Sequence, residues 1–370
     1  MALVWSGQQA GLAAVQPDGK LLIAFHANTG GPDTYTLQRR SSSQTVDTTF
    51  GSEGSVTLSG IPVQVAVAPN GTIVVLSAGT KGLAHLAALD STGTAVAGFD
   101  ATAAVGSIEM SAGAPWGQDP FDANYVPNAS ALAIQADGEI LVAGLEVPDG
   151  GSNGIDVTGI VTRLLADGSV DASFGSGGQV VVPNAAVTDL VLLPSGDSVV
   201  VTESTTTDSF TLTWYGAAGT PLTGVAPVGE GGYGGVLARS DSTVLVGSYQ
   251  ESGQQLVFKA YTPGGTVDSS TSPVVTPGLD HHFIAAGDVL TSVPITGPQL
   301  TVDRALPNGT AEAALMATIP TDAGTVTIAN AIPAPDGGTL LLGQTCVSGD
   351  TNTLVCTSLV AILSSTGVLQ

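Results

Sequence analysis

An all-β fold of repeated four-stranded antiparallel sheets is what this chain of 370 residues predicts, and three observations carry the prediction. Short apolar runs rich in Val, Ile, Leu, Thr and Ala recur along its length, broken by turn sequences such as PDG, PNG, ADG and STG. No stretch repeats apolar residues at i, i+3, i+4 and i+7 over three turns, so long amphipathic helices are not expected. The chain also aligns with itself in seven pieces, at a period of about 53 residues.

Each piece opens with an apolar strand, a tight turn and a second apolar strand. The copies are LAAVQPDGKLLIAF (12–25), VQVAVAPNGTIVVLS (63–77), ALAIQADGEILVAG (131–144), TDLVLLPSGDSVVVT (188–202), GGVLARSDSTVLVGS (234–248), the degenerate HHFIAAGDVLTSVPI (281–295) and IANAIPAPDGGTLLLGQ (328–344). A third strand with its own turn follows in each, as in TYTLQRRSSSQTVD (34–47) and GIVTRLLADGSVD (159–171). Glycine in the Asp-Gly and Asn-Gly turns supplies the positive φ that tight hairpins demand. Near-continuously apolar strands belong to sheets covered on both faces. Four-stranded sheets at this spacing, set around a channel, make a β-propeller. The expectation is therefore a seven-bladed β-propeller forming one domain over 1–370, with blades near 12–60, 61–105, 129–183, 187–226, 233–275, 281–320 and 326–370.

The ends of the sequence fit that plan. The last piece stops at STGVLQ, where the third continues into DASFGSGGQVVV, so its sheet lacks an outer strand. The opening MALVWSG resembles SVTLSG (55–60), an outer strand that precedes an inner one. Residues 2–6 are expected to join the C-terminal blade and close the ring.

AVQPDGKLLIAF (14–25), AIQADGEILVAG (133–144) and LLADGSVDASFGSGGQV (164–180) resemble the delta-60 repeat, a bacterial β-propeller repeat. About half the chain carries the resemblance. It implies the fold and no general activity, so it contributes no catalytic residues. Within the repeat, TVDTTFG (45–51) and SVDASFG (169–175) are two copies of one phrase. Asp47 and Asp171 are expected to accept local turn hydrogen bonds, and Phe50 and Phe174 to fill the apolar space between adjacent sheets.

Lys and Arg number 8 against 31 Asp and Glu, a net charge of −23. Such a surface repels phosphate backbones and anionic lipid, which argues against nucleic acid as a partner. No apolar run approaches the roughly 18 residues that span a bilayer, which argues against membrane insertion. The two cysteines, Cys346 and Cys356, flank VSGDTNTLV; as arms of a hairpin they would lie within disulfide reach. A disulfide suits an oxidising, extracellular or cell-surface location. MALVWSG has neither the basic nor the apolar region of a signal peptide, so either the protein is intracellular or a leader has already been removed.

Function is expected at the end of the sheets that carries the second-to-third loops and the crossovers, because the other end holds only short, uniform hairpins. One crossover, ATAAVGSIEMSAGAPWGQDPFDANYVPNAS (101–130), is far longer than its counterpart SGIPV (59–63). It carries Trp116, Asp119, Phe121, Asp122 and Tyr125, aromatic faces beside carboxylates that suit sugar rings or basic peptides. Tyr233 and the cluster Asp280, His281 and His282 share that end. The two adjacent histidines at a strand start would point to opposite faces and chelate one ion poorly. Asp149, Asn153 and Asp156 offer oxygens for calcium with imperfect spacing, so no cofactor is expected. Asp119 or Asp122 with Asp280 or Glu230 could form a carboxylate pair for glycosidic hydrolysis. The triplets at Asn70, Asn128 and Asn308 read as turn chemistry. With no nucleophile elbow, P-loop or dinucleotide fingerprint present, the reading is a non-catalytic binding or adhesion module holding a glycan or protein partner. A hydrolase or lyase at the channel mouth, or a purely structural domain of a larger surface protein, are the alternatives.

Overall fold

The computed structural model describes residues 3–6, 9–27, 34–79, 82–109, 131–146, 157–204, 209–222, 226–228, 233–250, 255–270, 274–277, 281–286, 289–294, 299–305, 315–318, 325–334, 338–348, 354–364 and 366. Among these the protein is all-β and almost wholly antiparallel, with one short helix. Three sheets are simple four-stranded meanders. One runs Gln9–Val15, Leu21–Ala27, Thr34–Arg40, Ser55–Leu58; another Tyr233–Ala238, Val244–Gln250, Gln255–Tyr261, Val274–Pro277; a third His281–Ala286, Val289–Pro294, Gln299–Ala305, Leu315–Thr318. An eight-stranded sheet is two such meanders, Ala131–Ile134 to Gln179–Pro183 and Ala185–Leu192 to Ala226–Val228. A single parallel pair, Thr158 with Ala185, joins them.

The sheet nearest the C-terminus takes its outer strand from the opposite end of the sequence. Thr325–Pro333, Thr339–Ser348 and Leu354–Leu363 form a meander, and Leu3–Ser6 pairs antiparallel with its last strand, Leu3 opposite Val360 and Ser6 opposite Thr357. This is the pairing that the match between MALVWSG and SVTLSG implied.

One sheet departs from four strands. Ile61–Val67, Ile73–Ala78 and Ala84–Leu89 form a three-stranded sheet, and the helix Thr102–Val105 stands where other sheets have a fourth strand. Ala101, Ala104, Val105 and Ile108 are buried in the core shared with Leu76, Leu86 and Val142. The Ala84 N–H donates to the Ile108 carbonyl at 2.7 Å, and the Glu109 N–H to the Leu145 carbonyl at 2.8 Å. A helix laid along an edge strand protects it as a fourth strand would. The long crossover thus begins as core through Glu109.

The chain divides into two compact units, one built around Met1–Leu58 and Gly278–Gln370, the other around Ser59–Ala114 and Gln118–Pro277. In the first, Leu21, Ile23 and Phe25 pack against Leu340, Leu342, Val360 and Ile362, so the first and last sheets lie face to face. In the second, three successive cores join neighbouring sheets: Val74 and Leu76 with Ile140 and Val142; Val161 and Phe174 with Val187 and Val200; Val201 and Trp214 with Val236 and Val246.

One copy of the repeated Val-Asp…Phe-Gly phrase fastens the second of these seams, and it has a partner that the sequence pattern alone did not reveal. Asp171 Oδ1 accepts the Ser173 N–H at 3.0 Å and its hydroxyl at 2.7 Å, while Oδ2 accepts Arg163 Nε at 2.8 Å. The Arg163 guanidinium, almost fully buried, lies 4.8 Å from the centre of the Phe174 ring. It also pairs with Glu139 at 3.1 Å and donates to the carbonyl of Ala217 in the next sheet. Asp47, Thr49, Arg39 and Phe50 repeat the arrangement, with Arg39 Nε 3.0 Å from Asp47 and its guanidinium again 4.8 Å from the ring. Phe174 is packed directly on Gly219, whose φ is +74°; a Cβ there would come within 2.8 Å of the ring and of the Gly175 nitrogen. Phe174→Ala should lower the free energy of unfolding by about 3–5 kcal/mol, and Arg163→Met by about 3 kcal/mol through the stranded Asp171. Urea denaturation checks both, and losses under about 1 kcal/mol would mean this seam is held by something else.

Candidate functional site

Among the described residues, hairpins at one end of the meanders bond their own polar groups. Asp90 Oδ1 accepts the Thr92 N–H at 2.8 Å and its hydroxyl at 2.6 Å, and Asp167 with Ser169, Asp241 with Thr243 and Asp268 with Ser270 do the same. The Asn70 side chain accepts the Thr72 N–H at 3.0 Å, the turn chemistry expected of that triplet. Hydrogen bonds from these hydroxyls and amides hold the Asp90, Asp167 and Asp268 carboxyls below the usual carboxylate range. Groups so engaged offer little to a ligand.

The opposite end differs. Among the described residues, five first strands carry a register shift soon after they begin: between Ala10 and Leu12, Pro62 and Gln64, Val187 and Asp189, Tyr233 and Gly235, and Ile328 and Asn330. Such a bulge re-aims the side chain that follows it. In three sheets that residue is polar and reaches the first strand of the neighbouring sheet. Gln64 donates to the Leu132 carbonyl at 3.0 Å and accepts its N–H at 2.8 Å; Asn330 donates to the Gly11 carbonyl at 3.4 Å. Asp189 Oδ2 accepts the Tyr233 hydroxyl at 2.7 Å, and its Oδ1 accepts the Leu190 N–H at 2.7 Å.

The Asp189 seam is the one with titratable chemistry. The bulge puts Asp189, opposite Val201, on the same side of its sheet as Glu203, which lies opposite both Ala186 and Phe210. Phe210 meets the Tyr233 ring edge-on at 5.4 Å between centroids. Asp189 keeps part of its surface open to solvent, yet the protein packed around it dominates: burial pushes its carboxyl up to about 6, against the two hydrogen bonds that pull it down. Burial also raises Glu203, and burial together with the Asp189 charge raises the Tyr233 phenol well above its ordinary value. No hydrogen-bond donor among the described residues reaches the Glu203 carboxyl. The cluster is thus two carboxyls, one of them uncommitted, beside a phenol and a phenyl ring, at the end of the sheets that holds the crossovers.

Of the residues that the sequence singled out, Tyr233 is in this cluster. His281 and His282 begin the strand His281–Ala286, opposite Pro294 and Val293. Trp116, Asp119, Phe121, Asp122, Tyr125, Asp280, Glu230, Asn128, Asn308 and the calcium candidates Asp149, Asn153 and Asp156 lie outside the described residues. Asp189 and Glu203 were missed, because their meeting with Tyr233 depends on a bulge. Cys346 is disulfide-bonded, and Cys356, the chain's other cysteine, stands directly opposite it.

Residues 135–174 match a domain of unknown function (DUF5122) described as a β-propeller. The stretch holds the strands Ile140–Glu146 and Thr158–Leu164 of one four-stranded antiparallel meander. The matched stretch includes Arg163, Asp171 and Phe174, the fastening described above. No curated protein sequence matches the chain. Among solved structures, a prolyl endopeptidase shares 13% identity at a TM-score of 0.58 over 99% of this chain and 48% of its own, so the chain spans about half of that protein. A virginiamycin B lyase from Staphylococcus aureus, determined with quinupristin, shares 12% identity at a TM-score of 0.52, over 97% of this chain and 99% of the lyase. A polysaccharide lyase, Uly1, shares 9% identity at 0.53, over 95% and 90%. At such identities the likeness concerns the fold alone.

The raised Asp189 carboxyl has a thermodynamic sign. Between its ordinary value of 3.8 and about 6, the folded protein holds a proton that the unfolded chain has released. Stability from this group is therefore complete below about 4 and is lost as pH rises through about 6. The lowered Asp47 and Asp171 act oppositely, losing their contribution as pH falls below about 4. Denaturation midpoints from pH 4 to 7 should fall less steeply in Asp189→Asn than in the unaltered protein. Equal slopes would remove Asp189 from the account.

Proposed function

We propose that the chain is a seven-bladed β-propeller whose last blade is completed by Leu3–Ser6, and that it works as a non-catalytic binding module, extracellular or attached to a surface. The ring rests on the seven-fold sequence period and on the consecutive stacking of sheets within each unit. The oxidised Cys346 supports the location. The binding reading rests on one observation: among the described residues, the hairpin carboxylates Asp90, Asp167 and Asp241 are bonded within their own turns, whereas the crossover end keeps Glu203 uncommitted beside Asp189, Tyr233 and Phe210. These oxygens are acceptors, so the fitting partner donates: sugar hydroxyls, or lysine and arginine side chains of a protein. Asp119, Phe121, Asp122 and Tyr125 are proposed to extend the same surface, and Trp116, Asp280, His281 and His282 are proposed as ligand contacts in their own unit.

A hydrolase or lyase reading is favoured by one feature, the Asp189 carboxyl that titrates near 6 within hydrogen-bond reach of a phenol, since acid–base catalysis works best near the operating pH. A calcium ion at Asp149, Asn153 and Asp156 would be an accessory to either reading.

A glycan array and a panel of basic peptides test the proposal. Deleting 110–127, which spares the buried Val105 and Ile108, should leave folding intact and weaken binding at least tenfold. Glu203→Gln should weaken it about threefold to tenfold, the worth of one partly screened charge-assisted hydrogen bond. A ligand bound equally well by both variants would move the site elsewhere. Turnover of any substrate that Asp189→Asn abolishes would favour the enzyme.

A further inference from the structure

The outer strand Leu3–Ser6 differs in origin from the other outer strands. Ser55–Leu58 reaches its place directly after Thr34–Arg40 in sequence, and Gln179–Pro183 directly after Thr158–Leu164. Leu3–Ser6 arrives from the other end of the chain and rests on four residue pairs along one strand, Leu354–Leu363. Its position therefore depends on how firmly that single strand is held.

Leu354–Leu363 pairs on its other side with Thr339–Ser348 in a ladder of ten residue pairs. The ladder ends at Ser348 opposite Leu354, where the connecting loop begins. A hairpin opens from its loop end inward, pair by pair: Ser348/Leu354, Val347/Val355, then Cys346/Cys356. The next pair is Thr345/Thr357, and Thr357 is the residue that receives Ser6. The oxidised cysteine pair thus stands one residue short of the receiving register, where a covalent bond stops the opening before it reaches the N-terminal strand. Cys346 is only part-buried, so a small thiol can approach it.

We propose that the Cys346–Cys356 bridge is a redox latch on the N-terminal strand. In the oxidised protein the receiving strand cannot open past Cys356, and Leu3–Ser6 stays docked. A dithiol reductant releases it by exchange: its thiolate attacks one cysteine sulfur and breaks the S–S bond. Its second thiol then closes on the first, leaving two protein thiols and a cyclic disulfide. Opening then runs into Thr357 and loosens the pairing with Ser6 first and with Leu3 last.

Hydrogen exchange on the full chain, with and without dithiothreitol, tests this. Reduction should speed exchange in Leu3–Ser6 and in Leu354–Val360 at least tenfold while leaving Ile140–Glu146 unchanged. The double variant Cys346→Ser/Cys356→Ser should show the fast exchange at once and no further response to the reductant. Unchanged exchange in Leu3–Ser6 after complete reduction overturns the proposal, as does an equal acceleration across all sheets. If the double variant fails to fold, the oxidised and reduced forms of the unaltered protein decide the matter between them.

Discussion

A strand whose two faces are both apolar needs cover on both, and this structure follows from that need. All six residues of Ile73–Ala78 are buried, as are Ile140–Leu145 and Leu340–Leu342. A sheet with such a strand inside it has no face to give to water, so it is stable only between neighbours. Bulky side chains then concentrate between sheets: Phe25, Phe174 and Trp214 each fill a seam rather than the interior of one sheet.

Apolar stacking alone does not fix how one sheet is rotated on the next, and the polar seam bonds supply that direction. Arg163 ties a carboxylate in its own sheet to a backbone carbonyl in the next, while its flat guanidinium covers Phe174. At the other end, Gln64, Asp189 and Asn330 each send a side chain from a bulge to the neighbouring first strand. The Asp189–Tyr233 bond therefore has a structural origin in common with two neutral clasps. Its departure from them is the carboxylate, with Glu203 set beside it.

The sequence disclosed whatever is local. Hairpins, strand centres and the Asp47 and Asp171 turns are set by residues within a few positions of one another, and period and turn chemistry report them. The N-terminal strand was legible as well, because it carries the same short apolar phrase as Ser55–Leu58. What stayed hidden depends on contacts across sheets. Arg163 meets Ala217 54 positions away, and Asp189 meets Tyr233 44 positions away through a one-residue register shift that no residue type announces. The sequence does carry one trace of the first contact: of only 8 basic residues in the chain, two, Arg39 and Arg163, stand eight positions before the repeated aspartates. The stretch ATAAV looked like the start of a loop because a helix of four residues is too short to have a period.

That helix has an evolutionary side. In a meander built wholly of strands, lengthening the link between third and fourth strands risks shifting the register of the edge. Here Thr102–Val105 seals the edge with side chains instead of a ladder, and Glu109 then returns the chain to the backbone of Leu145. The edge of this sheet is thus closed by residues that end at Glu109. A single helical turn can therefore finish a sheet without adding a strand, which frees the sequence at this point from the β-branched, strand-forming composition that the repeat otherwise demands.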